Sequence, residues 1–353
     1  KQHGTWIDRR IGGSPWPLNG IPLQQVHGKA VYMFIREKKV DCQDYREVDV
    51  IPRTDNAEKA VKGKRGKRQK VTEPKQKDLN DKNARRYLVQ LGNGNFHIGD
   101  LHVSGTYDDS HLPATVEEAE RIAGNYLRRI AYRREKLGLE PLKYILVTEY
   151  KFAEDGSTLK RVHHHIIMNG GMDRDDVELM WTAKRINWKK AADPEYRAKI
   201  KQMGWVNADR LQMNENGIEG LLKYITKDPQ GKKRYSSSRN LERPQKAAED
   251  HGRKDKAGRE MKYTSSRNLA RPVEHPPADS VYSRKMVERL AKSPDAGKEF
   301  FQKRFPNYNI VSIEPVFYQE TGWHIYLKMW RKKEVPRKND RRRKRKRTGP
   351  GPR

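Results

Sequence analysis

The chain has 353 residues, of which 34% are hydrophobic and 35% charged, and its 76 Lys and Arg outnumber 46 Asp and Glu to give a formal charge of +30. That balance makes a polyanion the default partner and excludes an acidic scaffold. No run of about eighteen apolar residues, lipidation signal or secretory leader is read, which argues against a membrane partner. The single cysteine, Cys42, excludes an internal disulfide framework and fits a reducing cytoplasm.

Residues 1–30 carry tryptophans, prolines and glycines to which the sequence assigns no role. Apolar alternation over 30–50 (Val40, Cys42, Val48, Val50) predicts two strands. Residues 54–83 are lysine-rich and nearly free of apolar side chains, so they read as a flexible basic insertion within an N-terminal segment, 1–83. ARRYLVQL from residue 84 and DLHVSGTY from residue 100 read as strands separated by a Gly-Asn turn signal. Thr115 to Glu118 form a capping box that opens a helix. Its apolar stripe runs through Ala119, Ile122, Ala123, Tyr126, Leu127, Ile130 and Leu137, and Gly138 stops it. Arg128, Arg129, Arg133 and Arg134 are assigned to its polar face.

Residues 144–169 dominate the reading. Two strands, YILVTEY and RVHHHIIM, flank a turn at 154–157. Alternation puts His163 and His165 on one face and His164 on the other. Folding the hairpin brings Glu149 opposite one of the two, with Cβ atoms about 5 Å apart. Two imidazoles and a carboxylate sharing a face would hold a divalent ion with open coordination positions. The same histidines read equally as solvated or nucleic-acid-contacting surface.

A second capped helix is expected from Asp173 and a strand over 205–211. From residue 101 the order is then strand, helix, strand, strand, helix, strand. This predicts an α+β, ferredoxin-like split βαβ antiparallel sheet with both helices on one face. The face with Glu149, His163 and His165 would be open, while Ile166, Met168 and His164 pack beneath the helices. A short helix follows, with Ile218, Leu221, Leu222 and Ile225 on its stripe. Tyr224 lies at the edge of the stripe and Lys227 one turn on.

The segment YSSSRNLERP (235–244) recurs as YTSSRNLARP (263–272), a duplication suited equally to phosphate contact and to solvated surface. Residues 279–330 read as a small α+β appendage, and 331–353 as a disordered basic tail able to contact phosphates without reading sequence. The division expected is therefore 1–83, 84–245, 246–278, 279–330 and 331–353.

Three motifs in order resemble the HUH endonucleases, specifically rolling-circle replication initiators of plasmids and small single-stranded DNA phages. Residues 106–113 (TYDDSHLP) resemble their TYDDxHLP motif. His163-His164-His165 resembles the histidine–hydrophobe–histidine motif, with histidine at the middle position, and residues 224–227 (YITK) resemble YxxK. The likeness spans residues 95–245. It departs at Val103-Ser104-Gly105, where a Thr-Leu pair is common.

The resemblance implies a bacterial cytoplasmic enzyme using Mg2+ or Mn2+, held by Glu149, His163 and His165. Tyr224 would attack single-stranded DNA at an origin hairpin to give a 5′-phosphotyrosine and a free 3′-OH, aided by Lys227. A host helicase and polymerase are implied partners. A relaxase or single-tyrosine transposase shares this chemistry. A non-catalytic basic DNA-binding protein and a facial-triad iron oxygenase are rivals of other classes, and the latter leaves Tyr224 and the +30 charge without a role.

Overall fold

The computed structural model describes residues 33–55, 74–153, 158–226 and 264–333. The fold is mixed α+β with two antiparallel-paired five-stranded sheets, in two compact units. Residues 1–40, 46–70 and 274–353 belong to one unit, and 41–45 and 71–273 to the other.

In the first unit, β1 (Met33–Cys42) and β2 (Tyr45–Thr54) join β8 (Val273–Glu274), β9 (Tyr308–Tyr318) and β10 (Gly322–Arg331) in the order β8-β1-β2-β10-β9. One sheet thus unites strands from the segments read above as 1–83 and 279–330. Helices α6 (Arg284–Lys292) and α7 (Lys298–Arg304) cover it. Val287, Leu290 and Phe301 pack against Ile35, Val48, Val50, Ile325 and Leu327. Burying a polar group is tolerated only when it is partnered, and Glu37 on β1 is fully buried. It accepts hydrogen bonds from Arg304 Nε and Nη2 at 2.7 and 2.9 Å and from the Tyr282 hydroxyl at 2.7 Å. Lys39 pairs with it at 2.9 Å.

The second unit holds α1 (Pro74–Asn93), β3 (Leu101–Thr106), α2 (Val116–Lys136), β4 (Tyr144–Phe152) and β5 (Leu159–Met168). After these come α3 (Arg174–Leu179), a 3-10 turn (Lys190–Ala192), α4 (Pro194–Ala198), β6 (Val206–Arg210), α5 (Glu219–Ile225) and β7 (Thr264–Ser265). The strand order is β6-β3-β5-β4-β7. ARRYLVQL, expected as a strand, lies within α1. The helix wins because Leu88 and Leu91 meet Ile218 and Leu222 of α5 in one core, a tertiary contact that overrides local propensity. Gly92 permits the approach, since a side chain there would collide with Leu222 and Ile218. Of the basic insertion expected over 54–83, residues 74–83 are helical and 56–73 lie outside the described residues.

Thr115 caps α2, its hydroxyl accepting from the Glu118 N–H at 3.2 Å, and the Glu118 carboxylate accepts from Ala114 N–H. The stripe of α2 buries Ala123, Tyr126, Leu127 and Ile130 against Val103, Leu146, Ile166 and Met168. Arg134 is not on a solvated face as expected. It is buried, four residues after Ile130 and so on the same stripe, donating to the carbonyls of Glu140, Asn169 and Gly170. The second repeat copy is structural. Its β7 pairs with β4, the Ser266 hydroxyl accepts from Tyr144 N–H, Asn268 donates to the Leu142 carbonyl, and Leu269 is buried. The first copy, 235–244, lies outside the described residues. So do the turn at 154–157, Lys227 and the tail beyond 333.

Candidate metal centre and nucleophile

Register decides which side chains meet. In the β4–β5 hairpin Glu149 pairs directly with His163, and Val147 with His165. Directly paired residues in an antiparallel ladder share a face, so Glu149, His163 and His165 stand together. The Glu149 Oε2 lies 3.5 Å from Nε2 of His165. Neighbouring ligands of a six-coordinate Mg2+ or Mn2+ stand about 3 Å apart, given metal–oxygen distances near 2.1 Å. The spacing therefore fits a shared ion. His163 stands in register with Glu149 on the same face. Among the described residues, no group of three or more His, Cys, Asp or Glu side chains is arranged to hold a metal ion.

Sequence reasoning missed the residues that aim His165. Ser104 of β3 pairs with it, and the Ser104 Oγ and His102 Nε2 both lie 3.4 Å from its Nδ1. The His102 and His165 rings stack with centroids 5.5 Å apart. Holding one ring nitrogen from behind leaves the other directed at Glu149, the usual outer-shell arrangement for a ligating histidine. Burial, and then the charge of His165, push the His102 imidazole down to about 4, although Asp209 opposes the shift. His102 is therefore neutral at pH 7. Their alternation on β3 comes into phase with the face of His165 only through the β3–β5 register.

His164 faces the opposite side and is fully buried. Its Nε2 is 2.9 Å from the Tyr107 hydroxyl and its Nδ1 3.1 Å from Thr148 Oγ1. The Trp181 ring packs against it, with centroids 5.8 Å apart. The Trp181 indole sits over Gly105, where a Cβ would come within 3.1 Å of the ring. Gly105 thus leaves the space that Trp181 fills, and Tyr107 of the TYDDSHLP stretch is the partner of His164. In that stretch Asp108 accepts from Ser110 and from His111 N–H. Those bonds hold its carboxyl below the ordinary range.

Burial, and then the charges of His165 and His163, push His164 down to about 3. A histidine held neutral in the fold but free to protonate when unfolded removes stability as pH falls from 6.5 toward 3, because the unfolded chain then binds the extra proton. His164→Leu leaves Tyr107 and Thr148 without this partner and is expected to cost about 1–3 kcal/mol at pH 7.5. Denaturant melts should also show the wild type losing roughly 2 kcal/mol relative to this variant between pH 6.5 and 4.5. Parallel pH profiles would contradict a buried neutral imidazole.

The face of Glu149 and the two histidines is not open along its whole length, as expected from sequence. Ile145, Val147 and Ile167 on that face are covered by α1 and α5 through Leu88, Leu91, Ile218, Leu222 and Ile225. Seven residues of helix are marginal alone. Burying each of these aliphatic side chains on α5 contributes about 1.5–3 kcal/mol and holds the helix on the sheet. Asn93 fixes its start, accepting from Ile218 N–H at 3.0 Å and donating to the Asn216 carbonyl at 3.1 Å. Tyr224 points away from this seam and is 58% exposed. The expected nucleophile is thus a solvent-facing phenol on a helix pinned to the same sheet face as Glu149, His163 and His165.

No protein-family model, curated protein or solved structure matches the chain. Among the described residues, no helix is long and apolar enough to cross a membrane.

Proposed function

We propose that this chain is a metal-dependent single-strand DNA nicking and joining enzyme of the HUH type, acting as a rolling-circle replication initiator. The observation that carries the reading is the contact of Glu149 with His165, with His163 in register, on the face that also carries the Tyr224 helix. The strand order β6-β3-β5-β4 around two crossover helices supports the ferredoxin-like form of the α+β fold. The +30 charge supports a DNA substrate.

Glu149, His163 and His165 would hold Mg2+ or Mn2+, which when bound supplies Lewis-acid polarisation of the scissile phosphate. The Tyr224 oxygen attacks phosphorus and loses its proton. The P–O3′ bond breaks, and the departing oxygen takes up a proton to become a 3′-OH. The DNA 5′ end stays on Tyr224 as a phosphodiester, so the reverse attack by a 3′-OH rejoins the strand. Lys227, one turn beyond Tyr224 in sequence, is assigned to charge compensation at the phosphate or phenolate. Ser104 and His102 orient His165.

Incubation with single-stranded oligonucleotides and Mn2+ tests the reading. A denaturation-resistant adduct whose tryptic peptide carries nucleotide on Tyr224 is the expected product, and a failure to form any adduct across origin-like hairpins would overturn it.

The metal site has its own readout. Calorimetry should show Mn2+ binding to the wild type and loss of that binding in His163→Ala, His165→Ala and Glu149→Ala. His102→Ala is expected to weaken Mn2+ by about tenfold or more without abolishing it, since it touches a ligand and not the ion. Equal affinity in all four variants would place the ion elsewhere.

A further inference from the structure

On the other side of the sheet, α2 and the segment after α3 enclose a cleft of about 520 Å³ that the nicking reaction does not use. Its lining includes Asn125, Arg128, Arg129, Tyr132, Arg185 and Trp188. Three arginines converge here, and among the described residues none of the three has a carboxylate partner. The nearby Asp176 is taken up by Arg197 at 2.8 Å and by Arg133 at 3.9 Å. Arg129 is locked in place, its Nη2 donating to the carbonyls of Met180 and Thr182 at 3.2 and 2.8 Å, while its Nε is buried without a hydrogen-bond partner. Burial pushes its guanidinium down from the ordinary value, and the charge of Arg185 adds to this. Gathering like charges without acids destabilises the free protein and favours a bound polyanion.

Two aromatic rings border the charges. Tyr132 is 58% exposed, and half-buried Trp188 is held with the Arg133 guanidinium 4.0 Å above its ring. Arginine forks match phosphate oxygens, and flat rings accept unpaired bases of any sequence. The volume lies within the range of nucleotide-sized sites.

We propose that this cleft is a second single-stranded DNA site, in which Arg128, Arg129 and Arg185 take backbone phosphates and Tyr132 or Trp188 takes a base. It binds strand away from the scissile phosphate, without metal and without sequence preference. The choice of DNA among phosphate polymers rests on the function proposed above.

The test uses full-length Tyr224→Phe protein in EDTA, so that neither cleavage nor metal enters the measurement. An oligothymidylate of about twenty nucleotides serves as the probe, spanning more than one binding site. Adding Arg128→Glu and Arg185→Glu, both exposed positions, is expected to weaken binding about tenfold or more. The slope of log affinity against log salt should fall by about 0.7 for each phosphate that the protein no longer neutralises. The matched control is Lys285→Glu with Arg289→Glu, both exposed on α6 and outside the cleft, and it should change affinity far less. Irradiating a bromodeoxyuridine-substituted strand should give crosslinks on Tyr132 or Trp188. Equal weakening in the two double variants, or crosslinks mapping only to other peptides, would overturn the cleft assignment. The covalent adduct of the wild type is a separate measurement: its absence would refute the nicking reaction and leave a cleft result standing.

Discussion

Tyr224→Phe is expected to abolish the covalent protein–DNA adduct completely while leaving melting temperature, Mn2+ affinity and oligonucleotide affinity unchanged. The substitution removes one oxygen. The ring is exposed and contributes little to the core, because the packing of α5 rests on Ile218, Leu222 and Ile225. The helix is fixed at its start by Asn93 and along its length by the sheet, which limits the directions in which Tyr224 can reach. Orientation of this kind can lower a barrier by several kcal/mol, on the order of the contribution seen for well-aligned reactants. Tyr318 provides the control, since it is also largely exposed but sits on β9. Tyr318→Phe should form adduct at the wild-type rate. Persistence of the adduct in Tyr224→Phe would move the nucleophile elsewhere and with it the function proposed here.

Glu37→Ala should unfold the unit built on β1, β2, β9 and β10 at markedly lower denaturant. Removing one member of a buried charge network leaves the others desolvated and unpaired, which costs about 3–5 kcal/mol. The lower end is expected, because Arg304 and Lys39 keep part of their hydration, with side chains 29% and 26% exposed. Burial alone would raise the Glu37 carboxyl, but hydrogen bonds from Arg304, Tyr282 and Lys39 outweigh it and hold the group at about 2. A carboxylate depressed by folding adds stability above its unfolded value of 4.5 that is lost as pH falls toward 2. Protection factors of β10 amides in the wild type, corrected for the intrinsic slowing of exchange with acid, should therefore fall across that window. In Glu37→Gln protection should already be low at pH 5 and change little below it. Wild-type protection in Glu37→Gln would mean that the network is not what holds the sheet.

Alternation alone made the candidate site legible. The two-residue period separates His163 and His165 from His164, and the hairpin turn brings Glu149 across. Register, which sequence leaves open between two pairings, settles on Glu149 opposite His163. What sequence could not supply was the third strand: His102 and Ser104 look like ordinary residues of an alternating strand until β3 is paired with β5. ARRYLVQL reads as a strand because its polar lead-in hides the helical period, and its helix depends on α5, which lies far along the chain. Arg134 reads as solvated because a charge on an apolar stripe has no local signature. It is the loop carbonyls of Glu140, Asn169 and Gly170 that make the position tolerable. Pairing of β1 and β2 with β10 and β9 has no local signal at all, since each hairpin is equally consistent with a separate small domain.

That last pairing has a consequence for the order in which the chain is made. About 250 residues separate the end of β2 at Thr54 from the start of β9 at Tyr308. At ordinary synthesis speeds the first hairpin waits roughly 10–50 s before its partner strands emerge. Strands β3 to β6, all within residues 101–210, meet one another much sooner and need no such delay. A two-stranded hairpin is marginal alone, and its free edges invite pairing with other nascent chains. β1 and β2 carry five basic residues and four acidic ones, so net charge gives those edges little protection. Until β9 and β10 arrive, the free edge of β2 stays open to pairing with neighbouring chains on a polysome.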